Sequence, residues 1–414
     1  MSPSSLPRFD RREVLLGAGA LAFTAATPCA VGASSRPFVT SETGTLRKAL
    51  VHAATAADHM HCDAVTHGGS SFWWDAADDV AAQHAQMVLQ LESTGAQILR
   101  LQEVLESAVD SARQRGVPSS VVTMFEGQVG QGLSYVRDFA VMLPKGLVLC
   151  NAADAARERQ QALFRFVIEF APAFRGYPVL FDAAAAGLRA EGGDIQVLDE
   201  QTLLVGVGNH TDPRIAAALA RTTGIDVIAV NIRNADPARW RIDHDPLRDF
   251  FLHLNTSVAQ IDRGHLLALP WLFEAAHTGH AALRRADRLI ADFGTIEKYR
   301  AWSGECDPTA AGLKLVDYLR TRGMTVSFVN GTGGDDLDRW LAEAAETRAI
   351  FPMRERQAAN ILATSPGSLI AFMGAERTHK TLRDDGMSVR TVMGCEMWRG
   401  YGGPHCLTLP LERS

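Results

Sequence analysis

The chain has 414 residues, 47% of them hydrophobic, enough apolar material for one large core or two ordinary ones. A formal net charge of -6, with no basic excess, argues against a general nucleic-acid binder and leaves a cationic small molecule open. Six scattered cysteines without a C-x-x-C pair fit neither a disulfide scaffold nor a zinc site.

The first thirty-odd residues are of a different kind. Arg11-Arg12 precede an apolar run from Val14 to Ala26, followed by Pro28 and the small residues Ala30, Gly32 and Ala33. This order predicts a twin-arginine-type signal peptide over residues 1–33, with export to the periplasm or the cell exterior. If the signal is not used, the protein stays cytoplasmic. The run is too short to span a bilayer comfortably, and no later run is longer, so no membrane span is expected once the signal is removed.

From Leu46 onward, short β-rich runs alternate with amphipathic segments. Leu50-Val51 reads as a strand and Asp79 to Leu91 as a helix, with Val80, Met87, Val88 and Leu91 on one side. Gln97 to Leu101 reads as a strand, and Gln102 to Met124 as a helical, then loop-like, insertion. Leu147 to Cys150 is a further strand, and Asp154 caps a helix running to about Phe170. Strands at Thr202–Val207 and Val227–Val230 flank a helix from about Asp212 to Thr222. Strands follow at His265–Leu269, Thr325–Val329 and Leu369–Phe372, with a helix at Asp335–Thr347 before the last. The class is α/β. Similar units hint at an internal repeat, while a doubly wound sheet fits the alternation equally well. No phosphate-binding glycine loop is present, so nucleotide binding has no support.

Four polar clusters edge the apolar runs: Arg137-Asp138, Glu191-Gly192-Gly193-Asp194, His253-Leu254-Asn255-Thr256, and Gly400-Tyr401-Gly402-Gly403-Pro404-His405-Cys406. Each has a plainer explanation alone. Arg137-Asp138 reads as a surface ion pair, Glu191 to Asp194 as a turn, His253 as a satisfied core histidine and Cys406 as a buried thiol. Together they supply a thiol, an imidazole and several carboxylates, the set that covalent catalysis at a cationic carbon requires. His59, His61 and His67 near Cys62 and Asp63 invite a metal reading, but their surroundings read as a solvated loop.

In this order the clusters resemble the arginine deiminase family of guanidino-modifying enzymes. Leu46-Arg47-Lys48-Ala49-Leu50-Val51-His52 and Leu407-Thr408-Leu409-Pro410-Leu411 add to the likeness, which covers nearly everything after Ser41. The resemblance implies a pentein fold, a five-bladed α/β propeller of pseudo-fivefold ββαβ repeats. Residues 34–414 then form the catalytic domain, with an abbreviated helical insertion at Val104–Phe125. It also implies that Cys406 is the nucleophile, His253 the general acid and base, and Glu191 the group orienting His253. Asp138 would bind the guanidinium nitrogens and Arg157 the substrate carboxylate.

That chemistry converts a guanidino group to a ureido group with loss of ammonia, by default L-arginine to L-citrulline. The carboxylates fork onto the guanidinium and aim its carbon at the sulfur. A planar thiouronium forms on the cysteine and water hydrolyses it, so no metal or organic cofactor is called for. The expected partner is a small-molecule guanidino substrate, and a homo-oligomer is compatible with the sequence.

Three departures from the family pattern bear on the substrate. Asn255 stands where the family has an aspartate, His210 where it has an arginine that helps hold the substrate carboxylate, and Tyr401 where an arginine is usual, with Arg399 close by. The alternatives are an amidinotransferase using the same intermediate, a dihydrolase releasing two ammonia molecules, and a non-catalytic guanidine-binding relative.

Overall fold

A computed structural model describes residues 37–52, 77–127, 133–153, 157–232, 253–269, 273, 293–329, 357–394, 397 and 402–414. The signal segment, the Asp154 cap, the Asp335–Thr347 helix, the His59–His67 cluster and Tyr401 lie outside the described residues.

The first unit contains strand β1 (Leu46–Val51), helix α1 (Ala77–Glu92) and strand β2 (Gln97–Arg100). β1 runs parallel to β2 and, on its other edge, antiparallel to the C-terminal strand Leu409–Arg413. The strand expected to reach Leu101 stops at Arg100, because Leu101 opens helix α2 (Leu101–Gln114); helix α3 (Ser119–Phe125) follows where a loop was expected. The second unit is β3 (Ala140–Leu143), β4 (Gly146–Leu149), α4 (Glu158–Phe170) and β5 (Val179–Asp182). The third is β6 (Ile195–Asp199), β7 (Thr202–Val207), α5 (Arg214–Thr223) and β8 (Asp226–Asn231).

The fourth unit opens with β9 (Val258–Asp262) and β10 (His265–Ala268). Short strands β11 (Ile296–Tyr299) and β12 (Cys306–Asp307) then extend the sheet of the third unit. Helix α6 (Leu315–Thr321) and β13 (Thr325–Phe328) complete the fourth. The fifth is β14 (Leu362–Ser365), β15 (Ser368–Phe372), α7 (Glu376–Asp384) and β16 (Ser388–Val392). The last strand, β17 (Leu409–Arg413), returns to the first unit.

Every unit thus joins an antiparallel pair to a parallel third strand through a helical crossover. These are the five ββαβ repeats of the pentein fold, closed by pairing the two ends of the chain. Among the described residues the parallel pairs stay within separate sheets and form no open doubly wound sheet.

The third sheet shows why several strands read as unbroken apolar runs. Leu204, Ile228 and Val230 face one core, while Leu203, Val205, Val227 and Ala229 face another. Both faces of β7 and β8 are buried, so the residue alternation along them separates two cores rather than core from solvent. Each buried Leu, Ile or Val contributes about 1.5–3 kcal/mol. No helix among the described residues is long and apolar enough to cross a membrane.

A tight turn precedes the first strand of each unit. Four are short 3-10 helices, at Val136–Phe139, Gly192–Asp194, Leu254–Thr256 and Gln357–Ala359, and residues 404–407 form the fifth, ahead of β17. The second, third, fourth and fifth units' turns touch in succession. The Arg137 amide, 3.4 Å from the Cys406 carbonyl, links the first unit's turn to the second's. These turns and the residues next to them carry the buried Arg137, Asp138, Glu191, Asp194, His253, Asn255 and His405.

Candidate active site

Each turn delivers functional groups inward: Asp138 from the second unit, Glu191 and Asp194 from the third, His253 and Asn255 from the fourth, Asn360 from the fifth and Cys406 from the first. All are buried. The approach is so close that a Cβ on Gly193 would lie 2.5 Å from His253 Nδ1, which reserves that position for glycine.

One half of the site is built from carboxylates. His253 Nε2 bonds Glu191 Oε2 at 2.8 Å, while Glu191 Oε1 accepts from His210 Nδ1 at 3.2 Å and from the Ala153 amide at 3.0 Å. Arg157 Nη1 lies 2.9 Å from Asp138 Oδ2 and 3.5 Å from Glu191 Oε2, and its guanidinium stacks 4.7 Å from the Phe139 ring centre. Asp138 Oδ1 is 3.7 Å from His253 Nδ1; both atoms are buried and neither makes a hydrogen bond to a described residue. Asp194 accepts from the Leu254 amide at 2.9 Å and from Thr211 Oγ1 at 2.5 Å, which fixes the turn carrying His253.

These neighbours set the protonation states. Burial alone would lower the pKa of His253, but the Asp138 charge, the adjacent Cys406 and the Glu191 carboxylate outweigh it and raise it well above the usual histidine value. Burial alone would raise Glu191, yet its bonds to His210 and His253 hold it well below the carboxylate range. Asp194 is pushed up to about 6 by burial, which its hydrogen bonds and His253 only partly offset.

The other half surrounds the thiol with amides. Cys406 Sγ lies 2.9 Å from Asn360 Nδ2 and 3.3 Å from Asn255 Nδ2. Asn255 Nδ2 is also 3.0 Å from His405 Nδ1, and His405 Nε2 faces Glu42 Oε2 at 3.4 Å. Glu42 Oε1 in turn holds Arg137 Nη2 at 2.5 Å. His405 is lowered to about 4 by burial and the Arg137 charge, so this imidazole is neutral at pH 7. Glu42 stays well below its ordinary value because Arg137 and His405 outweigh its burial.

Arg137 is therefore not a surface ion-pair partner, as its sequence context reads. Its side chain is buried, bonded to Glu42 and to the carbonyls of Gly192 and Ile195, and it ties the turns together. Cys406, His253, Glu191, Asp138, Arg157 and Asn255 come together, with His210 at the partly exposed edge. Arg157 is turned onto the two carboxylates, and the Asn255 amide nitrogen onto the thiol. Glu191, His210 and His253 also bring metal-ligand-type atoms within 4.8 Å of one another. The Glu191 oxygens are already engaged by two imidazoles, an amide and the Arg157 cation, so the three serve here as a hydrogen-bonded set.

Asn360 was missed in the sequence, where it stands alone in Ala358-Ala359-Asn360-Ile361. The repeat is the signal that finds it. Four units place a polar side chain within a few residues of their first strand, and Asn360 is the fifth unit's.

Comparisons with known proteins bear on the fold and the family. The chain is 24% identical over 368 residues to an arginine deiminase of Mycobacterium avium (strain 104), covering 85% of this chain and 81% of that one. It is 26% identical over 297 residues to an arginine deiminase of Listeria monocytogenes serotype 4a (strain HCC23), covering 68% of this chain but only 61% of that relative's length. Among solved structures, AgrE in a binary complex with L-arginine superposes with a TM-score of 0.53 at 16% identity, covering 89% of this chain and 40% of that one. The product-bound N-terminal domain of ArgZ, a cyanobacterial arginine dihydrolase, gives a TM-score of 0.53 at 15% identity, covering 88% and 97%. These two share the fold. The family model for arginine deiminase matches residues 131–296 and 348–413, more than half of the sequence, and the chain belongs to that family of C–N hydrolases acting on linear amidines.

Proposed function

We propose that the protein hydrolyses a guanidino group to a ureido group with release of ammonia, with L-arginine and L-citrulline as the default pair. The observation that carries this reading is the buried His253, 2.8 Å from Glu191 and 3.7 Å from Asp138 with Cys406 adjacent, neighbours that raise its pKa well above the usual histidine value. The two carboxylates already accept the guanidinium of Arg157, which is the recognition chemistry a substrate guanidinium needs. Asp138 Oδ1 remains as a buried acceptor for a substrate N–H.

In this mechanism the Cys406 thiolate attacks the guanidinium carbon and forms a neutral tetrahedral adduct. His253, as imidazolium, gives its proton to one nitrogen, which leaves as ammonia and yields a cationic thiouronium on the sulfur. Neutral His253 then takes a proton from water as the oxygen adds to the same carbon. Collapse to the ureido carbonyl breaks the C–S bond and regenerates the thiolate. The remaining proton leaves with ammonia as ammonium. Glu191 keeps His253 oriented through both steps.

The Arg11-Arg12 leader supports a further reading, that this activity is exported. Purified protein supplied with L-arginine is expected to form citrulline and ammonia in equal amounts. Two ammonia molecules per substrate would point to a dihydrolase instead, and product only on addition of an acceptor amine to an amidinotransferase. No turnover of arginine, agmatine or methylated arginines would overturn the proposal.

A further inference from the structure

We propose that Asn360 is a positioning residue for the nucleophile, holding the Cys406 turn through its amide oxygen and stabilising the thiolate through its amide nitrogen. The proposal rests on the reading of Cys406 as the nucleophile. Three contacts carry it. Asn360 Oδ1 accepts from the Gly403 amide at 3.0 Å and from the Cys406 amide at 3.1 Å, and Asn360 Nδ2 lies 2.9 Å from Cys406 Sγ. The first two settle the orientation of the side chain. Two backbone N–H donors can only be met by the amide oxygen, so the atom left against sulfur is the NH2 donor.

Asn360 is 1% exposed, and a Cβ on Gly403 would lie 2.5 Å from its carbonyl oxygen. The glycine therefore lets the turn close over Asn360, and the amide locks it there. An N–H aimed at sulfur is worth more to a thiolate than to a thiol, because a hydrogen bond to an ionised acceptor is roughly twice as strong. It does so without bringing a charge that would repel a guanidinium. The same bond favours the thiolate as leaving group when the C–S bond breaks.

Among the described residues, the titratable groups around this thiol are His253 from the fourth unit, with Asp138 and Glu191 beyond it, and His405 on its own turn with Glu42 behind it. The variant must leave all of them in place. Asn360→Asp does so. It is isosteric and keeps an oxygen for the Gly403 and Cys406 amides, but it exchanges the donor at sulfur for an oxygen that carries charge, so an uncharged variant is read beside it.

The test is the pH dependence of iodoacetamide alkylation at Cys406, resolved from the exposed Cys306 by peptide mass spectrometry. With Asn360→Asp, the midpoint for Cys406 is expected to rise by about one pH unit or more, with a roughly tenfold slower reaction at pH 7. Asn360→Ala removes the donor without adding charge and is expected to shift the midpoint the same way. A profile unchanged from wild type in a folded variant would overturn the inference. So would loss of fold in both variants, since Asn360 would then be a strut of the fold. If Cys406 in the wild type resists alkylation between about pH 5 and 10, the nucleophile reading itself fails, which is a separate result.

Discussion

Two buried histidines lie near the thiol, and their neighbours push their pKa values in opposite directions. His253 lies among Asp138, Glu191 and Asp194 and is raised well above its usual value, despite its burial. His405 is equally buried, but Arg137 has already claimed its carboxylate neighbour Glu42, and it drops to about 4. The site therefore has a charged half that can grip a cation and move a proton, and a neutral half that presents sulfur to amides. Residue type alone assigns neither role. The neighbours do, and here they come from different units of the ring.

The largest effect on this contrast is expected from Asp138→Asn. It removes the charge beside both His253 and Arg157 while keeping the shape. Loss of one charge-assisted contact, about 1.5–3 kcal/mol, predicts a fall in kcat/KM on the order of 100-fold. It should also move the alkaline limb of the pH–rate profile to lower pH, because His253 loses a charge that holds its proton. Unchanged kinetics would mean that Asp138 does not face the reacting group.

A second effect concerns stability in acid, and here the two halves oppose each other. His405 is depressed in the fold, so its contribution is full above its ordinary value of 6.5 and is lost as pH falls from there towards about 4. The limiting size is on the order of 3 kcal/mol. His253 is raised, so its contribution is full below 6.5 and is lost only as pH climbs through its elevated value. Asp194, raised to about 6, gains stability as pH falls over the same range, so the His405 contribution is read as a difference: followed from pH 7 to 4, His405→Asn is expected to lose less melting temperature than the wild type. A melting curve of wild-type steepness in that variant would remove His405 from the acid response.

The residues that the turns bring together were more legible in the sequence than the strands that carry them. Asp138, Glu191, His253 and Cys406 stand in short polar clusters at the ends of apolar runs, in an order that carries the family resemblance. Half of the strands escaped the same reading, for physical reasons. β3, Ala-Val-Met-Leu, is four residues long, and a run that short cannot be told from a buried piece of helix. β6 and β9 carry Gln196 and Gln260 in their middles, which look like solvent-facing positions. Both are buried instead, with Gln196 bonded to the Val258 carbonyl and Gln260 to the Leu198 carbonyl and the Glu42 amide. A partner some sixty residues away or more satisfies each of them, and no local pattern encodes that. Asn360 was overlooked because its partners, Gly403 and Cys406, lie in a different unit of the ring.

The central claim is that Cys406 attacks a guanidinium carbon, and acid-quenched mass spectrometry tests it most directly. Protein mixed with L-arginine and quenched during turnover is predicted to carry arginine less ammonia on Cys406, and Cys406→Ala is predicted to carry nothing and to make no citrulline. Citrulline produced by Cys406→Ala at the wild-type rate would contradict the account.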